Sequence, residues 1–146
     1  MNPSMTYGPD AVNLVKTFER CRLTSYQDSG GVWTIGWGHT GDDVCGVRTI
    51  NQEEADLLRE SDMGIAERWV NQLVTHPLTF HQFDALVDFV FNLGPHAFME
   101  STLRRYINSG LFTAAAQEFP KWVHQGVKVL PGLVARRAAE QALFNS

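Results

Sequence analysis

The stretch from Thr79 to Pro95 constrains this chain more than any other. Thr79, with Gln82 three residues on, is a capping box that opens a helix. Phe83, Leu86, Val87, Phe89, Val90, Phe91 and Leu93 wrap nearly all round that helix. A helix apolar on every side has to be buried at the centre of other helices. Gly94-Pro95 ends it cleanly. A chain of 146 residues has room for one such centre and predicts a single domain. It can bury about two thirds of its unfolded surface, so the core needs no staples. With 44% hydrophobic and 19% charged residues the composition is ordinarily globular, which excludes wholesale disorder.

The remaining segments arrange themselves around this helix. Pro9-Asp10 opens a first helix, with Val12, Val15 and Phe18 at helical spacing up to Glu19. Two β-favouring pieces, Leu23 to Tyr26 and Val32 to Trp37, flank the turn signal Asp28-Ser29-Gly30-Gly31 and predict a small hairpin. Asn51 with Glu54 is a second capping box, opening a long helix that runs to about Val74. Its apolar residues Ala55, Leu58, Ile65, Trp69 and Leu73 form a narrow stripe, as expected of a strut between two lobes. Helices are further expected over 102–108, 113–119 and 133–144. The fold class is α+β, with a helix and small β lobe over about 8–50, a connecting helix over about 51–74 and a helical lobe over about 75–146. A cleft is expected between sheet and helices.

Several functions are excluded or disfavoured. No apolar run approaches the roughly 18 residues that span a bilayer, and Met1 to Thr6 shows neither a basic nor an apolar leader region. Cys21 and Cys45 are too few for a disulfide framework and are not spaced as metal ligands. Free thiols are the expectation, one bridge remains open, and Cys21 reads as a buried structural thiol. The five histidines show no ligand spacing either, so no metal is expected. Residues 1–100 carry 6 basic and 14 acidic side chains, whereas residues 101–146 carry 6 basic and 2 acidic. The basic end, with Arg104, Arg105, Lys121, Lys128, Arg136 and Arg137, reads either as solvated helix faces or as a surface that meets a polyanion. No nucleic-acid motif accompanies it.

Glu19, Asp28 and Thr34 are the candidate constellation. Glu19 falls at the C-terminus of the first helix, where the helix dipole and burial both oppose ionisation, while Arg20 and Arg22 act the other way if they point inward. Asp28 sits in a polar turn and stays ionised. Two carboxylates pushed apart in this way suit acid-assisted hydrolysis of a glycosidic bond. A hydroxyl such as that of Thr34 can hold water. By residue pattern alone, such a pair is more often a helix-end charge and a turn-forming Asp. Of the tryptophans, Trp37, in the Gly-rich run, is expected to line the cleft.

The stretch from Glu19 to Asp28, followed by Trp33-Thr34-Ile35-Gly36-Trp37-Gly38-His39-Thr40, resembles the phage-type lysozymes, or endolysins. The family's spacing of Glu, eight residues, Asp, five residues, Thr is met at Glu19, Asp28 and Thr34. Phe91-Asn92-Leu93-Gly94, Ser101-Thr102-Leu103 and the segment from Trp122 to Arg137 resemble the family's C-terminal lobe, so the resemblance covers about residues 10–144. It implies a lysozyme-like fold and a muramidase that cuts the β-1,4 bond between N-acetylmuramic acid and N-acetylglucosamine, leading to host lysis. Glu19 would be the general acid, Asp28 the base or electrostatic partner, and Thr34 a holder of water. Inverting chemistry would place the carboxyl groups roughly 6.5–9.5 Å apart. His39 would form a structural pair with Asp62, and Thr40, Phe91 and Ser101 would contact substrate. No cofactor is implied. Peptidoglycan is the expected partner, with no nucleic acid and no stable membrane insertion. A monomer is expected, held in the host cytoplasm until a holin-type pore admits it to the wall. The alternatives are an inactive wall-binding module and a muralytic toxin or tail-associated enzyme.

Overall fold

A computed structural model describes residues 3–146; Met1 and Asn2, at the start of the stretch read for a leader, lie outside the described residues. Helix α1 spans Pro9–Phe18, and Arg22–Gln27 (β1) pairs antiparallel with Trp33–Gly36 (β2). Helix α2 runs from Gln52 to Leu73 and α3 from Phe80 to Leu93, each opened by the capping box read in the sequence. Short helices follow: α4 (Pro95–Met99), α5 (Thr102–Asn108) and α6 (Phe112–Ala116). A 3-10 turn at Phe119–Lys121 and a two-residue hairpin of β3 (His124–Gln125) and β4 (Lys128–Val129) lead into α7, Pro131–Phe144. The helix expected over 113–119 is therefore shorter and broken, because Pro120 cannot continue it. The sequence also gave no warning of the α4 turn or the β3–β4 hairpin, both too short to carry a period. No helix among the described residues is long and apolar enough to cross a membrane.

Two clusters of buried side chains form the core. The larger gathers Phe83, Leu86, Phe89, Val90, Phe98, Leu103, Ile107 and Phe119, with α3 at its centre. Phe89 makes edge-to-face contacts with Phe98, Phe119 and Trp122 at centroid distances of 6.0, 5.8 and 5.6 Å. The smaller cluster is Ile35, Val44, Ile50 and Ala55. Helix α2 serves both: Ala55 lies in the small cluster, and Met63, Ala66, Val70 and Leu73 lie in the large one. Its buried line is Ala55, Arg59, Met63, Ala66, Val70 and Leu73, not the expected stripe, and Ile65 is left exposed.

Helix α1 packs on α3 and α7 and contributes Ala11 and Val15 to the large cluster. Residues 8–50 accordingly divide between the lobes. The buried carboxylate of Asp84 on α3 fixes α1 at its start, accepting hydrogen bonds from the backbone N–H groups of Gly8 at 3.0 Å and Ala11 at 3.2 Å. Asp84 supplies the cap that Gly8 lacks, and in doing so sets where the far end of α1, carrying Glu19, emerges.

Arg59 is the costly residue of this arrangement. It is buried, its Nε and Nη1 have no hydrogen-bond partner among the described residues, and the carboxylates of Asp56 and Glu60 stand at 3.6 and 3.9 Å. A buried charge so poorly satisfied contributes little, so Arg59→Met is expected to leave stability within about 1 kcal/mol of wild type or to raise it. Urea unfolding midpoints measure this, and a loss well beyond that figure would reveal a stabilising role.

Candidate active site

Glu19 is the C-cap of α1, where its N–H donates to the Val15 carbonyl at 2.8 Å and the backbone turns extended toward β1. The side chain is directed to the junction of the lobes and meets Arg136 of α7, whose Nη1 donates to Glu19 Oε2 at 2.7 Å. Arg136 is itself held by Asp88 of α3, with Nε to Oδ2 at 2.9 Å and Nη2 to Oδ1 at 2.7 Å. Next to it, Arg137 forks onto Glu140 at 2.7 and 3.0 Å and donates to Asn92 Oδ1 at 2.7 Å. Burial alone would raise Asp88, but hydrogen bonds from Glu140 and Arg136 and the two guanidinium charges hold its carboxyl below the usual range. Burial, then the bond to Asp88 and its charge, push Glu140 well up, against the pull of Arg137. Neither Arg20 nor Arg22 is the cation at Glu19: Arg20 is exposed and Arg22 stacks on the Tyr26 ring at 4.7 Å.

Gly38 backs Glu19 from the other side. Its φ is +82°, and a Cβ added there would stand 2.5 Å from Glu19 Oε1. Glycine at 38 is required both by the backbone and by the carboxylate in front of it.

Asp28 occupies the β1–β2 turn and is exposed. Its Oδ1 accepts from the N–H groups of Gly30 at 2.8 Å and Val32 at 2.9 Å. Oδ2 has no hydrogen-bond partner among the described residues. Thr34, on β2 opposite Tyr26, is buried and donates its hydroxyl to the Val32 carbonyl at 2.9 Å. Its proton is committed, so only lone pairs remain for water. Tyr26 lies near both acids: burial first, then the charges of Glu19 and Asp28, raise its phenol above the ordinary value.

His39 Nδ1 lies 2.7 Å from Asp62 Oδ2, the pair the sequence pointed to. Asp43, which the sequence reading missed, faces the other ring nitrogen at 3.0 Å. Burial would lower His39, but its hydrogen bonds to the two carboxylates, and their charges, outweigh it and raise the imidazole above 6.5. Burial raises Asp62 in spite of His39, while Asp43, little buried, is held low by the imidazole. The stabilisation by charged His39 is therefore complete below pH 6.5 and is lost as pH rises through the higher folded value. His39→Asn is expected to cost more at pH 6 than at pH 9, by a few tenths to about 1 kcal/mol given solvent screening around Asp43. Urea midpoints of both proteins at the two pH values check it, and an equal cost at both would refute it.

A cavity of about 190 Å³ lies between the lobes, lined by Thr40, Asp62, Ile65, Trp69 and Phe91 among others. Thr40 and Phe91 are thus brought together as substrate contacts would need to be. Ser101 is not: it is 3% exposed, caps α5 by accepting from Arg104 N at 3.0 Å, and donates to the Phe98 carbonyl at 2.7 Å. Trp69 replaces Trp37 in the cleft. Trp37 is tied to Asp56 through Nε1 at 2.8 Å, with Lys16 over its ring. Cys21 is half-buried beside Gln52, and Cys45 is exposed; both thiols are free. The basic end of the chain divides between cations that are paired or bonded and the exposed Arg105 and Lys128. Arg136 and Arg137 are buried in ion pairs, Lys121 is bonded to Glu118 at 2.6 Å, and Arg104 serves the Leu73 and Met99 carbonyls. A larger cavity, about 890 Å³, lies against the N-terminal segment and the α2–α3 connection, with no carboxylate in its lining. Across the cleft the hairpin tips touch, Ser29 Oγ donating to Gln125 Oε1 at 3.0 Å.

These features define a two-lobed α+β protein bridged by a long helix, with one held and one exposed carboxylate around a hairpin. The family model for phage lysozyme matches residues 16–140, and the chain belongs to that family. It is 43% identical over 137 residues to the endolysin of Bacillus phage PZA, covering 92% of this chain and 53% of the relative. With the endolysin of Salmonella phage P22 it shares 38% over 146 residues, covering 97% and 99%. The muramidase domain of SpmX from Asticaccaulis excentricus has the same lysozyme-like fold, with a TM-score of 0.86, 39% identity, and 97% and 98% of the two chains covered. The chain spans about half the length of the Bacillus phage relatives.

Proposed function

We propose that this chain is a peptidoglycan hydrolase that cleaves the β-1,4 bond between N-acetylmuramic acid and N-acetylglucosamine, acting in lysis of a bacterial host. One observation carries the reading. Glu19 is held at the lobe junction by a buried guanidinium while Asp28 stands exposed on the adjoining turn, with Tyr26 near both. Membership of the phage lysozyme family supports it. Glu19 protonates the glycosidic oxygen as the bond to C1 breaks. Water donating to Asp28 and to the lone pairs of Thr34 attacks C1 from the opposite face and passes a proton to Asp28. The glycan runs past Thr40, Phe91 and Trp69. The protein acts as a monomer and reaches the wall through a pore made by a holin-type protein.

Release of reducing ends from purified peptidoglycan tests the activity. Proton NMR of the first product tests the geometry: an α-anomer appearing first supports attack by water, and a β-anomer would make Asp28 a nucleophile. Sedimentation with the wall without release of reducing ends would replace hydrolysis by binding.

A further inference from the structure

The buried cluster behind Glu19 bears on how the acid is kept usable. A guanidinium has five N–H donors in a rigid planar fork and, left alone beside a carboxylate, prefers a two-bond grip on it. Arg136 does not grip Glu19 in that way. Asp88 grips the Nε and Nη2 edge at 2.9 and 2.7 Å, and in the orientation this fixes Nη1 is the nitrogen that reaches Glu19, at 2.7 Å. Asp88 is fully buried on α3, and Arg136 is 3% exposed, so neither is there for solubility. Burying such a pair has a desolvation cost that well-packed apolar side chains would avoid, which points to a use beyond stability.

We propose that Asp88 is a positioning residue for the catalytic acid: by gripping the Nε and Nη2 edge it fixes the orientation in which Arg136 makes a single contact with Glu19, so the acid is aimed without being clamped by a two-bond fork. The inference rests on Glu19 being the general acid. Without the Asp88 charge, Arg136 is free to turn its fork onto Glu19 and its positive charge there is less compensated. Both changes disfavour the protonated carboxyl that the reaction consumes. The other groups around Glu19 are Tyr26 from β1 and, behind Arg136, Glu140 and Arg137 of α7.

Wild type, Asp88→Asn, Asp88→Glu and Glu19→Gln are compared on solubilised, uncrosslinked glycan strands for kcat, KM and pH profile. For Asp88→Asn, kcat is expected to fall about tenfold with KM within about twofold, because glycan contacts are untouched. The alkaline limb of its profile should move to lower pH, and Asp88→Glu should recover part of the loss. If Asp88→Asn does not fold, the double change Asp88→Leu with Arg136→Leu removes the cation with its partner, and its alkaline limb should move to higher pH. A wild-type kcat and profile in Asp88→Asn, or an unmoved limb in the double variant, would overturn the inference while leaving Glu19 as the acid. An inactive wild type, or a fully active Glu19→Gln, would instead mean that the hydrolase reading has failed.

Discussion

Glu19→Gln is expected to lower release of reducing ends from peptidoglycan by about 10²-fold or more while the protein stays folded. The amide has the volume of the carboxyl and can still accept from Arg136, so the lobe junction keeps its shape. What it lacks is the proton delivered to the leaving oxygen. Stability should change little, because Arg136 retains both bonds to Asp88 and is not left as an uncompensated buried charge. The same substitution in a protein that only binds the wall would change nothing measurable. Robust hydrolysis by Glu19→Gln would move the acid to another residue.

Gly38→Ala is expected to cost about 10²-fold in the same assay, although position 38 carries no chemistry of its own. A methyl group there would lie 2.5 Å from Glu19 Oε1 and 2.8 Å from its Cδ, so the carboxylate has to leave its present place. The backbone φ of +82° adds a strain of roughly 1–2 kcal/mol for any L residue. These effects are separable. Gly46 has a φ of +80° and nothing within 4 Å of an added Cβ, so Gly46→Ala should lose similar stability and keep full activity. Equal activity losses in the two variants would mean that strain, not displacement of the acid, is responsible.

Much of the architecture was readable because its causes are local. The capping boxes at Asn51 and Thr79 act over three residues, and α2 and α3 begin where those boxes place them. The turn at 28–31 needs only Asp28 and the two glycines after Ser29, and its carboxylate does bond the backbone two and four residues on. The His39–Asp62 pair was legible through family resemblance alone, since 23 residues separate the partners.

The misreadings share one physical origin. Arg136 and Arg137 counted as surface charge because composition registers charge without its partner. Their carboxylates lie on α3 and one turn further along α7, and the Glu19 contact spans 117 positions. Trp37 and Trp69 exchanged places because either could meet sugar or protein, and only packing distinguishes them.

By itself the sequence determined the order and kind of the main elements, the central burial of α3, the bridging role of α2 and the three residues around which the chemistry is proposed. Each depends on spacing within a few positions or on a family pattern that preserves such spacing. The tertiary structure alone decided which cation meets Glu19, what holds that cation, why residue 38 is glycine and which aromatic rings line the cleft. Those are contacts between segments far apart in the chain, and their energies come from burial and charge pairing that exist only once α1, α3 and α7 have packed together.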